Sequence, residues 1–151
     1  MKNILVLLLL CGSFAAKAQI EKDPTHWAYG LKKITGNTYE VHLRCMIDTP
    51  WHIYSQKQTT GFIGTRTKIS FEKVVGLTLI GNPVEKGKKV TYIIKVVGIT
   101  NVEYPGTVDF VQKATIKPGV KELKGTITYQ TCTHEHCLSP VTIGFTVQVT
   151  P

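Results

Sequence analysis

The chain carries no helical signal. No window of useful length repeats apolar residues at the three-to-four spacing of an amphipathic helix, which argues against helical bundles and βαβ folds. It has no internal repeat and no low-complexity linker, so nothing marks a boundary between domains. The apolar run from Ile4 to Leu10 is far too short to span a bilayer. Acidic residues are scarce, 10 against 18 Lys and Arg. The lysines are nonetheless spread out, with the densest group at Lys86-Gly87-Lys88-Lys89, and nowhere do they interleave with aromatics as a nucleic-acid surface would. The charge reads as solubility, with some steering of an acidic partner. Cysteine is sparse too: there are four, and no C-x-x-C.

The first eighteen residues have the marks of a secretory signal. Lys2 supplies a positive start, the apolar run follows, and Ala16-Lys17-Ala18 gives a small-residue cleavage site. A lipid anchor at Cys11 fits less well, because the residue before it is Leu10 and a lipobox wants a small one. Cleavage after Ala18 would remove 18 of the 151 residues and leave 133, enough for one domain (19–151) with a real core. Losing Lys2 and Lys17 lowers the net charge from +8 to +6. Export also sets the redox context. Disulfides persist in an oxidising compartment, so paired cysteines there are structural or exchange-active more often than metal-binding. Cys45, Cys132 and Cys137 remain, an odd number that needs an account.

Strand-like alternation runs through the rest. Residues 19–37 read as a segment of mixed polarity ending in a turn at Gly36-Asn37. From Tyr39 to Ile47, Val41, Leu43, Cys45 and Ile47 share one face, with His42 and Arg44 on the other. Cys45 therefore reads as a buried small hydrophobe and a poor nucleophile. Trp51 to Gln56, Thr67 to Val74, Leu77 to Ile80, Val90 to Val97 and Thr107 to Gln112 are further strand candidates, with a basic loop expected over 84–89. Gly125 to Gln130 and Val141 to Val149 are the last two, the second with an apolar residue at every odd position. About eight short strands at roughly ten-residue spacing predict an all-β fold, an immunoglobulin-like antiparallel β-sandwich.

Between the last two strands lies Cys132-Thr133-His134-Glu135-His136-Cys137-Leu138-Ser139-Pro140. Residues facing each other across an antiparallel pair are about 4.5 or 5.5 Å apart at Cα, within the range of a disulfide. A hairpin with a four-residue tip would thus let Cys132 and Cys137 bond. Three uses of such a pair compete. A structural staple closing about six residues contributes only about 2 kcal/mol, against nearly 5 for a hundred-residue loop. A metal site could draw on Cys132, His134, His136 and Cys137, and so tight a loop suits soft Cu(I) better than tetrahedral zinc. Thiol–disulfide exchange needs a reachable sulfur, and Cys132 shares its parity with Thr126, Thr128 and Gln130 on the polar face. An imidazolium at His134 or His136 would favour the thiolate.

The segment Thr128-Tyr129-Gln130-x-Cys132-x4-Cys137-x2-Pro140 resembles the N-terminal periplasmic domain of the transmembrane thiol reductase DsbD, and Trp51-His52-Ile53-Tyr54-Ser55-Gln56 is similar to that family's aromatic-rich strand. The resemblance spans most of residues 35–150. It implies a periplasmic protein whose catalytic Cys132 and Cys137 relay electrons between a membrane-embedded thiol reductase and thioredoxin-like partners, without a cofactor and as a monomer. It further implies a site lined by Tyr54 and Pro140, with Tyr92 standing where the family carries an aromatic cap; His134 and His136 line it by their place between the two cysteines. The chain departs from the family pattern at Ser139, where a second proline is common, and around Tyr92, where the flanking acids are missing. It would be a stand-alone version of the domain. The competing class is a secreted binding module with a stapled hairpin.

Overall fold

Period-two alternation builds the central strand. The computed structural model describes residues 22–150, so the expected signal segment, its expected cleavage after Ala18 and Cys11 lie outside the described residues. In β2 (Thr38–Ile47), Tyr39, Val41, Leu43, Cys45 and Ile47 are all buried while the residues between them turn outward. β1 (Thr25–Thr35) pairs antiparallel along the whole of β2, from Thr25 opposite Ile47 to Thr35 opposite Thr38, through the turn at Gly36-Asn37. Gly36 takes a φ of 51°, a conformation glycine adopts without penalty. The mixed polarity of residues 25–35 is thus that of an edge strand. Trp27, Tyr29 and Leu31 pack against the core, and their neighbours face water.

β8 (Thr107–Ile116) lines the other side of β2, and β5 (Leu77–Gly87) lies beyond it, giving the order β1-β2-β8-β5. The expected basic loop over 84–89 is corrected here. β5 does not stop at Ile80 but shifts register between Ile80 and Val84, and then pairs again from Val84 opposite Val111 to Gly87 opposite Val108. The buried Gln112 side chain donates from Nε2 to the carbonyls of Ile80 and Gly81 at 3.1 and 3.3 Å, supplying the bonds the ladder lacks there.

A second sheet runs β10 (Thr131–Cys132), β3 (His52–Tyr54), β7 (Ile99–Pro105), β6 (Val90–Ile94), and a third runs β11 (Val141–Gln148), β9 (Glu122–Tyr129), β4 (Lys68–Phe71). All pairings are antiparallel, and the described residues contain no helix and hence none long and apolar enough to cross a membrane. The fold is an immunoglobulin-like β-sandwich, with eleven strands among the described residues instead of about eight. The additions are β1, the two-residue β10 and β7, whose Asn101 and Glu103 interrupt the hydrophobicity that would announce a strand. β6 ends at Ile94, because Lys95 to Gly98 turn back with the Gly98 N–H donating to the Ile94 carbonyl at 2.9 Å.

One core joins the three sheets. Val41, Leu43, Val108 and Phe110 from the first meet Ile53 and Tyr104 from the second and Ile127, Phe145 and Val147 from the third. Each large apolar side chain so buried contributes about 1.5–3 kcal/mol. Gly125 has no room for a side chain: a Cβ there would collide with the Ser70 carbonyl and the Phe145 ring.

Candidate redox site

β9 and β11 form the expected hairpin, Tyr129 opposite Val141, but the eleven residues between do not simply close its tip. At Thr131 the chain leaves the third sheet and joins the second, Thr131 opposite Ile53 and Cys132 opposite His52. It then doubles back, so that Cys137 bridges to Cys132. Local polar groups shape this return. The Thr133 hydroxyl accepts the N–H groups of Glu135 and His136, each at 3.1 Å, and the Thr133 N–H donates to the His136 carbonyl at 2.8 Å. Leu138 N–H donates to the Thr131 carbonyl at 2.9 Å. Gln130 clamps two loops at once, donating to the Leu138 carbonyl at 3.0 Å and accepting from the Thr65 N–H at 2.9 Å.

Cys132 and Cys137 are joined by a disulfide with their Cα atoms 4.0 Å apart. The two ends differ sharply in access. Cys137 is exposed, whereas Cys132 is 0 % exposed. The expectation that Cys132 is the reachable sulfur is therefore corrected. It extrapolated the parity of β9 past Gln130, and parity restarts when the chain changes sheets.

The floor of the site is one face of the second sheet. Opposed residues of an antiparallel pair share a face, as do residues two apart. Cys132 lies opposite His52, Tyr54 opposite Glu103, and Tyr92 opposite Asn101, which puts all six on one side. On the other side Ile53 and Tyr104 enter the core. The loop folds over this floor, leaving a pocket of about 180 Å³ lined among others by His52, Tyr54, Tyr92, Glu103, His134 and Cys137.

Tyr54 places its hydroxyl 3.9 Å from Cys137 Sγ, and its ring meets Phe62 edge-on at 4.9 Å and His52 at 5.3 Å. Gly64 is confined here, since a Cβ at its φ of 137° would press within 3.0 Å of Phe62 and 3.2 Å of Tyr54. Burial, with the Glu103 carboxylate adding to it, holds the Tyr54 phenol above its ordinary pKa, so it stays a hydrogen-bond donor. Tyr92 lies parallel on the His134 ring at 4.1 Å. His136 meets Trp51 edge-on at 5.1 Å and has its Nδ1 3.3 Å from the Thr133 hydroxyl. Pro140 stands exposed just before β11, where its missing N–H costs the ladder nothing, and is not among the residues lining the pocket. Burial pushes the free Cys45 thiol far up, and nearby Asp23 adds to the shift, so this cysteine is inert as well as enclosed.

Sequence reasoning missed Glu103 altogether and placed His52 merely on a wet face. Glu103 is 2 % exposed and His52 3 % exposed, yet each carries a polar head under the redox loop. His134 Nε2 lies 3.0 Å from Glu103 Oε1, and His52 Nε2 lies 3.1 Å from Glu103 Oε2. Burial keeps the His52 imidazole below its ordinary pKa, Glu103 opposing and His134 adding to the shift. The copper set Cys132, His134, His136 and Cys137 is not assembled: the sulfurs are bonded to each other, and the two histidines turn to Glu103 and Trp51. The ligand-capable group that the structure gathers among the described residues is His52, Glu103 and His134. The signal for it was parity, with His52 and Tyr54 alternating against Ile53, and Asn101 and Glu103 against Val102 and Tyr104.

No protein-family model matches this chain, and no curated protein matches it. Solved structures do. The N-terminal periplasmic domain of ScsB from Proteus mirabilis superposes with a TM-score of 0.52 over 83 % of this chain at 15 % identity, and this chain spans only 44 % of that one. The reduced DsbD N-terminal domain of Neisseria meningitidis gives a TM-score of 0.53 at 18 % identity over 83 % of this chain and 86 % of that one. The structure of the complex between the DsbD and PilB N-terminal domains of the same organism gives 0.50 at 19 % identity, over 80 % of each chain. At such identities the likeness establishes the fold: this chain has a DsbD N-terminal-like β-sandwich.

Proposed function

We propose that this chain is a periplasmic thiol–disulfide exchange domain, a thiol-disulfide oxidoreductase of the protein-disulfide reductase type, with Cys132 and Cys137 as its redox centre. The observation that carries the reading is the asymmetry of the disulfide, one sulfur on an exposed residue and the other sealed in a sheet. In the reduced domain, the Cys137 thiolate attacks a disulfide sulfur of a partner. The partner's other sulfur leaves as a thiolate, and a mixed disulfide joins the two proteins. The Cys132 thiolate then attacks Cys137 Sγ, closing the internal disulfide and releasing the partner as a dithiol. Two electrons and two protons pass to the partner; a membrane-embedded thiol reductase returns them by the reverse sequence. The Tyr54 hydroxyl donates to the Cys137 thiolate and favours it.

Two further features support exchange with thioredoxin-like proteins. The DsbD N-terminal domain of Neisseria meningitidis, which shares this fold, forms a complex with a PilB domain. Beside the pocket, edge strand β6 exposes Val90, Tyr92, Ile93 and Ile94, an apolar border on which a partner can seat. The test is trapping in the native host. Cys132→Ala should accumulate mixed disulfides through Cys137, and Cys137→Ala should accumulate few. The pair should also equilibrate with glutathione-range buffers, at a potential above about −300 mV. A bond that resists such buffers, with neither variant trapping a partner, would identify a structural staple.

A further inference from the structure

The trio beneath the loop is built unlike an ordinary buried ion pair. His52 Nε2 and Glu103 Oε2 are only 3.1 Å apart, yet neither atom has a hydrogen-bond partner. Their separation satisfies an ion pair while their directions do not satisfy a hydrogen bond. Both side chains are more than nine-tenths buried. A buried polar atom left without a partner loses its hydration and gains nothing back, so two such atoms side by side need a reason. Asn101 Oδ1, also buried and unpartnered, borders the same pocket. The heads of His52, Glu103 and His134 lie within 4.8 Å of one another. His134 hydrogen-bonds to Glu103 Oε1, but His52 Nε2 and Glu103 Oε2 face each other unbonded, and a nitrogen and a carboxylate oxygen so placed are the arrangement a cation completes.

We propose that His52, Glu103 and His134 form a binding site for a divalent transition-metal ion of the zinc type. Two imidazole nitrogens and one carboxylate are a known zinc donor set that leaves a fourth position open. With metal–ligand distances of about 2.0–2.2 Å, donors around one ion sit roughly 3.3 Å apart. Each imidazole already lies near that spacing from one oxygen of Glu103, His134 at 3.0 Å from Oε1 and His52 at 3.1 Å from Oε2, and a small movement of the two imidazoles toward each other completes the set. His134 can supply the movement, being a half-exposed residue on the return loop, while His52 and Glu103 are fixed on paired strands. The three residues and Cys137 line one pocket. Imidazole nitrogen suits zinc, copper, nickel and iron, whereas magnesium and calcium prefer all-oxygen shells, so the hard cations are excluded. The site does not depend on the exchange reading, and it is measurable while both loop sulfurs are locked together.

The experiment is calorimetric titration of the oxidised, untagged protein with Zn²⁺, backed by Co²⁺ absorption as a report on coordination number. One equivalent should bind. His134→Ala removes a half-exposed side chain, so the fold should hold, which the metal-free unfolding midpoint checks. That variant should weaken binding by about tenfold or more, and Glu103→Gln should do the same. His136→Ala, altering the neighbouring loop histidine, should leave the affinity unchanged. No binding of either ion at micromolar concentrations overturns the proposal. So does binding that survives His134→Ala, or binding that His136→Ala abolishes. Intact metal binding in a protein that fails to trap partners would leave this site standing and remove the exchange reading; the converse result would do the opposite.

Discussion

Reducing the disulfide tests the division of labour between scaffold and site. The bond closes a loop whose ends are 5 residues apart, and chain entropy assigns so small a ring about 2 kcal/mol. Little else should change on reduction. A buried thiol at Cys132 behaves as a small hydrophobe, and the loop keeps its Leu138–Thr131 and Gln130–Leu138 bonds and the pairing of β10 with β3. Oxidised and reduced protein should therefore both unfold cooperatively in urea, with midpoints differing by roughly 1 M. By linkage the same free energy separates the potential of the folded pair from that of the unfolded pair. At about 30 mV per 1.4 kcal/mol, the folded disulfide should be harder to reduce by about 45 mV. Fluorescence of Trp27 and Trp51 can follow unfolding, and glutathione buffers with and without urea can report both potentials. A loss beyond about 4 kcal/mol, or a reduced protein with no cooperative transition, would show that the bond holds the sheets together and refute this reasoning.

Tyr54→Phe keeps the ring between Phe62 and His52 but deletes the hydroxyl beside Cys137. Stability should change by no more than about 1 kcal/mol, while the Cys137 thiol pKa should rise in a Cys132→Ala background; alkylation rate against pH reads it, and an unmoved profile removes the tyrosine from the mechanism. The His52 pKa is lowered from 6.5 by burial, so the unfolded chain takes the proton first and His52 makes stability fall as pH drops below about 6.5. Unfolding at about pH 7.5 and about pH 5.5 should show that loss, and His52→Asn should flatten it; an identical slope in the variant assigns the effect elsewhere. Gly125→Ala should cost about 1–3 kcal/mol or more, because the new Cβ meets the Ser70 backbone carbonyl, which cannot yield as a side-chain end would. A thermal midpoint equal to the parent's would mean that β4 and β9 can part without cost.

The residues that were legible in the sequence are those whose environment is set by their own strand. β2, β9 and β11 have one face on the core and one toward water, so alternation names their buried members and even the inertness of Cys45. β3 defeats that logic. His52, Ile53 and Tyr54 are all buried, Ile53 by the core and the other two by a loop eighty residues further along the chain. A polar residue covered from the wet side looks like any surface residue until the cover is known. The same holds for Glu103, whose acidity hides β7 and whose burial depends on His52 and His134. Strand resumption is equally silent: Gly81-Asn82-Pro83 reads as the end of β5, and nothing in the sequence shows that Gln112 from a neighbouring strand bridges the break and lets the strand pair again from Val84.

The sheet crossing at Gln130 accounts for the site's shape and underlies the chemistry proposed for it. Had residues 130–140 closed as a simple hairpin tip, both cysteines would stand in water and either could attack. Crossing to β3 instead hydrogen-bonds the chain through Cys132 into a second sheet, and the return through Thr133 leaves only Cys137 outside. A sulfur held in a ladder cannot approach a partner, but it is kept within bonding distance of its neighbour, which is what resolving a mixed disulfide requires. The same crossing lays the half-exposed His134 over the buried Glu103, so the loop that orders the two sulfurs also completes the trio. Substituting Gln130 should therefore disturb both at once, since its amide fixes Leu138 on one side and Thr65 on the other.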